Sequence, residues 1–154
     1  MKSLFARQFA HLFAVACIGL TANVHAADTG EQKKVFGDYE VHYIGLNSSF
    51  LPEEAAAAYN IPRSRSLGYL SISVLKTGGE LAVPVAAKLT GTIRNLIGQV
   101  RTLEFREIRE TSAVYYVSTF RFDDKDMYTI DLKATPEGQP RTFDVTFSQQ
   151  FYQE

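Results

Sequence analysis

From Tyr39 onward the chain alternates apolar and polar side chains with a period of two, the mark of strands buried on one face. Tyr39, Val41 and Tyr43 share a face opposite Glu40 and His42, and Leu70, Ile72 and Val74 alternate with Ser71 and Ser73. Val83, Val85, Ala87, Leu89 and Ile93 then oppose Lys88, Thr90, Thr92 and Arg94. Pro84 lacks an N–H, which places the start of that strand at a sheet edge. Leu103 and Phe105 open the next strand, and Ile108 falls an odd step from Phe105, which predicts a bulge near Glu107. The run "AVYYVSTFRF" (113–122) is apolar on both faces and suits an interior strand. Tyr128, Ile130 and Leu132, then Phe143, Val145 and Phe147, form the inner faces of the last two strands.

The turns between these runs carry Gly, Pro or clustered charge: "KTGGE" (76–80), "NLIGQ" (95–99), "DDKD" (123–126) and "TPEGQP" (135–140). This spacing predicts an immunoglobulin-like antiparallel β-sandwich of about seven strands, with a small closed β-barrel as the alternative. The chain has no Trp and a single cysteine, so the Cys…Trp…Cys hallmark of antibody domains is absent. An outer-membrane barrel needs an apolar lipid face on every strand, which Glu104/Arg106 and Asp131/Lys133 deny.

One stretch, "NSSFLPEEAAAAYNIPRSRS" (47–66), breaks the alternation and predicts a short helix between the first two strands. Pro52 suits the first turn, Glu53 and Glu54 meet the positive end of the helix dipole, and Ala55–Ala58 are strong helix formers. Asn60 tolerates a left-handed exit and Pro62 forbids continuation. So short a helix is marginal alone, and Phe50, Leu51, Tyr59 and Ile61 are its pins. The expected role is a crossover that plugs one open end of the sandwich. Arg63 and Arg65 lie two apart in an extended stretch, where paired guanidiniums can receive a carboxylate. With Asn47, Phe50 and Tyr59 they are the candidate binding residues, joined by the "NLIG" loop.

The first 26 residues are read as a cleaved secretory signal: Lys2 and Arg7, an apolar run from Phe9 to Leu20, then Val24-His25-Ala26. That run is shorter than the ~20 residues of a membrane-spanning helix. Lipid anchoring at Cys17 is disfavoured, because Ala14 stands where such a site wants Leu and the apolar run continues beyond it. Residues 27–35 read as a flexible leader and 36–154 as one domain, with no transmembrane segment after cleavage. Cleavage removes Lys2 and Arg7 from 16 basic residues facing 17 acidic ones, so the net charge of −1 becomes more negative. The remaining basic residues are interleaved with acidic ones, which excludes a nucleic-acid partner.

Catalytic chemistry is sparse. His42 is the one histidine of three beyond Ala26, no metal spacing exists, and "DDKDMY" lacks the Gly and distal Glu of a calcium loop. No nucleophile elbow, phosphate loop or dinucleotide fingerprint is present. No catalytic residue, metal or cofactor is therefore expected. Dispersed carboxylates and tyrosines remain the basis of an alternative enzyme reading, and a hollow barrel that of a lipocalin-like carrier.

The runs "FGDYEVHYIGLNSSFLPEEAAAAYNIPRSRSLGYLSISV" (36–74), "GTIRNLIGQ" (91–99), "LEFREIRE" (103–110), "VYYV" (114–117) and "FDVTFSQQFY" (143–152) together resemble the bacterial domain-of-unknown-function 4426 family. The resemblance implies a small exported protein, periplasmic in Gram-negative bacteria, and brings no catalytic residues with it. The function expected is a non-enzymatic binding module for an envelope protein or a small ligand.

Overall fold

The computed structural model describes residues 31–153; the expected signal segment with Cys17, and residues 27–30, lie outside them. The strands are β1 (Glu31–Phe36), β2 (Tyr39–Asn47), β3 (Leu67–Lys76), β4 (Val83–Pro84), β5 (Ala87–Asn95), β6 (Val100–Leu103), β7 (Arg106–Arg109), β8 (Val114–Arg121), β9 (Met127–Pro136) and β10 (Phe143–Gln150). A 3₁₀ turn (Ser48–Phe50) and one helix, α1 (Glu53–Ala58), lie between β2 and β3. One sheet has the order β1-β2-β3-β8-β7, with β4 added to β3; the other has the order β10-β9-β5-β6. All pairings are antiparallel. The architecture is the all-β sandwich expected, without barrel closure.

Two departures from the sequence reading share one cause, a chain that changes sheet. Val83–Pro84 pairs with β3, whereas Ala87–Asn95 pairs with β9, so the long strand expected over 83–94 crosses the sandwich at Val85 and Ala86. The odd step between Phe105 and Ile108 is likewise no bulge. The chain leaves the second sheet after Leu103 and joins the first at Arg106, so Leu103 and Phe105 face the main core while Ile108 faces outward. A third departure is separate: the expected leader contributes structure, because Glu31–Phe36 pairs with β2 along its length.

The main core is packed, not hollow: Val41, Leu70, Ile72, Val74, Ile130, Leu132 and Val145 are buried between the sheets. Stacked pairs Phe36–Phe143 and Tyr43–Phe147, with centroids 4.7 and 4.2 Å apart, join the sheets along the β1/β10 side. This filled interior leaves no room for a lipocalin-like carrier. One end of the sandwich is closed by Phe151, which meets Phe120 edge-on at 5.1 Å and packs on Phe122 and Tyr128. Reciprocal backbone bonds with the β8–β9 loop, Lys125 N–H to Phe151 O and Phe151 N–H to Asp126 O, hold it there.

The plug is thus aromatic and C-terminal, and the helical insertion lies elsewhere. β2 and β3 are neighbours in one sheet, so the segment between them is no crossover. It folds back over the outer face of that sheet and builds a second apolar cluster: Leu51, Ala56 and Ile61 against Tyr69, Ile108, Tyr115 and Val117. This explains why β3 and β8 are buried on both faces.

Gly68 lies under the ring of Phe120, its cross-strand partner. A Cβ there would stand 2.5 Å from Phe120 Cζ. Gly68→Ala must therefore push Phe120 off Phe151, and is expected to lower unfolding free energy in urea by about 1–3 kcal/mol. Gly79→Ala, whose Cβ meets nothing closer than 3.8 Å, is expected to leave it nearly unchanged.

Candidate functional site

Most of the predicted binding segment holds itself together. Asn47, 4% exposed, accepts from Ser49 N–H at 3.0 Å and donates to Arg65 O and Tyr152 O at 2.7 and 2.8 Å. Ser48 Oγ donates to Ser64 O and accepts from Ser64 N–H. Arg63 donates to Ser49 O at 2.7 Å. These bonds fasten the entry of the insertion to its exit, as the neck of a compact loop requires. A buried, doubly donating Asn47 amide is also no glycan acceptor, although Asn47-Ser48-Ser49 matches that triplet.

Helix α1 stops as its sequence predicts. Asn60 takes φ +52°, with Ile61 N–H bonded to Ala56 O and Asn60 N–H to Ala57 O, the two bonds of a Schellman stop. Tyr59 packs against the outer cluster, and its hydroxyl donates to the Glu110 carboxylate. Burial first, and that carboxylate second, push the Tyr59 pKa up. Arg106 donates to Tyr59 O. Asn47 and Tyr59 are therefore structural anchors, while Phe50 stays exposed and the Arg65 carbonyl is held by Asn47.

The insertion nevertheless delivers one residue to a site. Ser66, at its exit, lines a cleft of about 340 Å³ at the end of the sandwich that Phe151 closes. The other walls are Asn95 and Gln99 from the β5–β6 hairpin, Arg101 from β6, Arg121, Phe122 and Asp123 from the end of β8, Tyr128 from β9, and Gln153. Arg101 donates to Arg121 O at 2.8 Å and lies over the Tyr128 ring, 5.9 Å from its centroid. This cation–π contact fixes its position. Arg121 has no side-chain partner among the described residues. Tyr128 hydroxyl accepts from Asp123 N–H at 3.2 Å, and burial raises its pKa. The cleft thus offers two guanidiniums, several amides and one carboxylate, Asp123, on an aromatic floor.

A larger depression of about 520 Å³ lies on the outer face of the second sheet, lined by Thr90, Thr92, Thr102 and neighbours. Its Lys133 and Asp144 already pair at 2.6 Å, so its charges are satisfied. A smaller one, about 230 Å³, lies between Asn60–Pro62 and Arg106. The cleft at the Phe151 end brings two guanidiniums together, and that of Arg121 has no side-chain partner among the described residues.

Two carboxylates outside the cleft, Glu40 and Glu107, are held in the ionised state. His42 Nε2 lies 2.8 Å from Glu40 Oε2, and Lys33 takes Oε1 at 2.9 Å. Hydrogen bonds from Lys33 and then His42 hold the Glu40 carboxyl below its usual range. Arg109 and Tyr116 do the same for Glu107. Among the described residues no group of three or more His, Cys, Asp or Glu is placed to hold a metal ion, and no helix is long and apolar enough to cross a membrane.

Residues 33–154 match the family described as "Domain of unknown function (DUF4426)", and the chain belongs to that family. Among solved structures it is similar to a DUF4426 family protein from Pseudomonas aeruginosa PAO1, with 32% identity, 81% of this chain and 97% of that one covered, and a TM-score of 0.71. It is also similar in fold to FetP of uropathogenic Escherichia coli strain F11. A copper-bound variant of FetP gives 11% identity, coverage of 81% and 97%, and a TM-score of 0.57; FetP as isolated gives 10%, 80% and 94%, and 0.57. No curated protein matches the sequence.

Asn47→Ala is expected to lower stability by about 2–4 kcal/mol, since it removes a cap and strands two carbonyls. Arg63→Ala, which removes one exposed bond, should cost under about 1 kcal/mol. Denaturant titration of both variants checks the contrast.

Proposed function

We propose that this DUF4426 protein is an exported, periplasmic, non-catalytic binding module, and that the cleft at the Phe151 end receives the anionic group of a small ligand. The observation that carries this reading is the convergence of Arg101 and Arg121 on one cleft with Asn95, Gln99 and Gln153 amides. Guanidinium forks match carboxylate and phosphate oxygens, and their bonds to such groups are stronger than neutral ones. Asp123 restricts the ligand to one that leaves that carboxylate in water or donates to it.

Two further facts support a binding role over an enzymatic one. A general acid near neutral pH needs a raised carboxyl pKa, whereas Glu40 and Glu107 are both pulled down by their partners. The likeness to the copper-bound FetP variant, at 11% identity, is one of fold, and among the described residues no group of three or more His, Cys, Asp or Glu is placed to hold a metal ion. Export is supported by the signal-like first 26 residues and by family resemblance.

Titration of the ¹⁵N-labelled protein with citrate, as a probe of carboxylate recognition, tests the site. Saturable shifts are expected at Asn95, Gln99, Arg101, Arg121 and Phe122. Arg101→Ala or Arg121→Ala should weaken binding at least about tenfold, the loss of one charge-assisted bond. Shifts scattered over the surface, or equal affinity in both variants, would remove the cleft from consideration.

A further inference from the structure

Arg121 and Asp123 stand on either side of Phe122, which is turned into the core. Both are exposed, both line the cleft at the Phe151 end, and they carry opposite charge. Two residues of extended chain span at most about 7 Å, so their long side chains are within reach of each other. They do not pair. The Arg121 guanidinium and the Asp123 carboxylate have no side-chain partner, in each other or in any other described residue. An opposed pair left open in a cleft offers a ligand a cationic and an anionic contact side by side.

The groups around the pair are fixed. Asp123 is anchored through its backbone: its N–H donates to the Tyr128 hydroxyl at 3.2 Å, and its carbonyl accepts from Asp126 N–H at 3.1 Å. On the opposite wall, four bonds lock the β5–β6 hairpin. Gly98 N–H donates to Asn95 O at 3.0 Å and Asn95 N–H to Gln99 O at 3.2 Å, with Gly98 at φ +86°. Asn95 Nδ2 donates to Gln99 Oε1 and Gln99 N–H to Asn95 Oδ1, both at 2.9 Å. Leu96 and Ile97 are thereby held exposed at the tip. The Gln99 amide is given one orientation, with no described acceptor for its Nε2. Gln153 donates from Nε2 to Phe122 O at 3.3 Å, so its Oε1 is left to accept.

We infer that the ligand of this cleft is a zwitterion, an α-amino acid with its carboxylate on Arg121 and its ammonium on Asp123. The inference rests on the cleft reading above and narrows it to one chemical class. An α-amino acid carries both charges on one carbon, which suits contacts from residues two apart; the termini of an extended peptide stand farther from each other. The charge of this end points the same way. Asp124 and Asp126 share the loop with Asp123, so a ligand with negative charge alone meets repulsion beside Arg121, and a cationic group relieves it. Carboxylate on Arg121 and ammonium on Asp123 each form a charge-assisted bond. The open amide groups of Gln99 and Gln153 then suit a polar side chain.

L-Glutamine is the probe, with N-acetyl-L-glutamine and L-glutamine α-amide as the same molecule lacking the ammonium or the carboxylate. In titrations of the ¹⁵N-labelled protein, L-glutamine should shift Gln99, Arg121 and Asp123 saturably. Each blocked form should bind at least about tenfold more weakly, the loss of one charge-assisted bond. Asp123→Asn should weaken L-glutamine binding by a similar factor and strengthen citrate binding, because a like charge leaves the cleft. The citrate response also shows that this variant is folded. N-acetyl-L-glutamine bound as tightly as L-glutamine, or L-glutamine affinity unchanged in Asp123→Asn, would overturn the zwitterion and leave the citrate site standing. So would a cleft that answers citrate but not L-glutamine. Cleft residues unmoved by either compound would remove the anion site and the zwitterion together.

Discussion

A strand that is apolar on both faces has to be covered twice, and β3 with β8 places this demand on the whole molecule. The second sheet covers their inner face; their outer face would present Tyr69, Tyr115 and Val117 to water without the 47–66 insertion. Burial of a large aliphatic side chain contributes about 1.5–3 kcal/mol, so Leu51 and Ile61 make the insertion a stabilising layer. That layer needs its two ends together. Asn47, Ser48 and Arg63 join them by side-chain bonds to the backbone of the opposite end, Asn47 and Ser48 from the buried base of the loop. The insertion therefore reads as a third layer over part of one sheet.

The same fastening sets where a ligand can go. Because the loop neck lies at the end of β2, it delivers Ser66 beside the ends of β5, β8 and β9. Phe151 closes the core below, and its backbone bonds hold the β8–β9 loop that carries Asp123. Arg101 and Arg121 come to one cleft from opposite sheets, and the locked hairpin places Leu96 and Ile97 at its rim. Rigid strands thus present a loop-built end, the usual division of labour between scaffold and site.

Much of the fold was legible in the residues. Period-two runs at Val41–Tyr43, Leu70–Val74 and Phe143–Phe147 named inner faces correctly, and the helix stop at Asn60 followed from its left-handed tolerance. The changes of sheet were not legible, since a break in alternation at Phe105 is the same in sequence whether a bulge or a crossing causes it. The insertion's resting place was hidden for a related reason: Leu51 and Ile61 announce a buried face without saying what it meets. Arg101 and Arg121 carried no local signal at all, being ordinary polar positions on separate strands until topology brings them together. The "NLIG" loop was marked, although its exposure and its rigidity became visible only with the hairpin bonds.

Whether 47–66 is an integral layer or a movable lid is tested most directly by native-state hydrogen exchange. As an integral layer, its bonded amides of Ala56 and Ile61 exchange with the same free energy and denaturant dependence as those of β3, through global unfolding. Exchange of Ala56 and Ile61 by a local opening of lower free energy, with β3 still protected, would contradict that role.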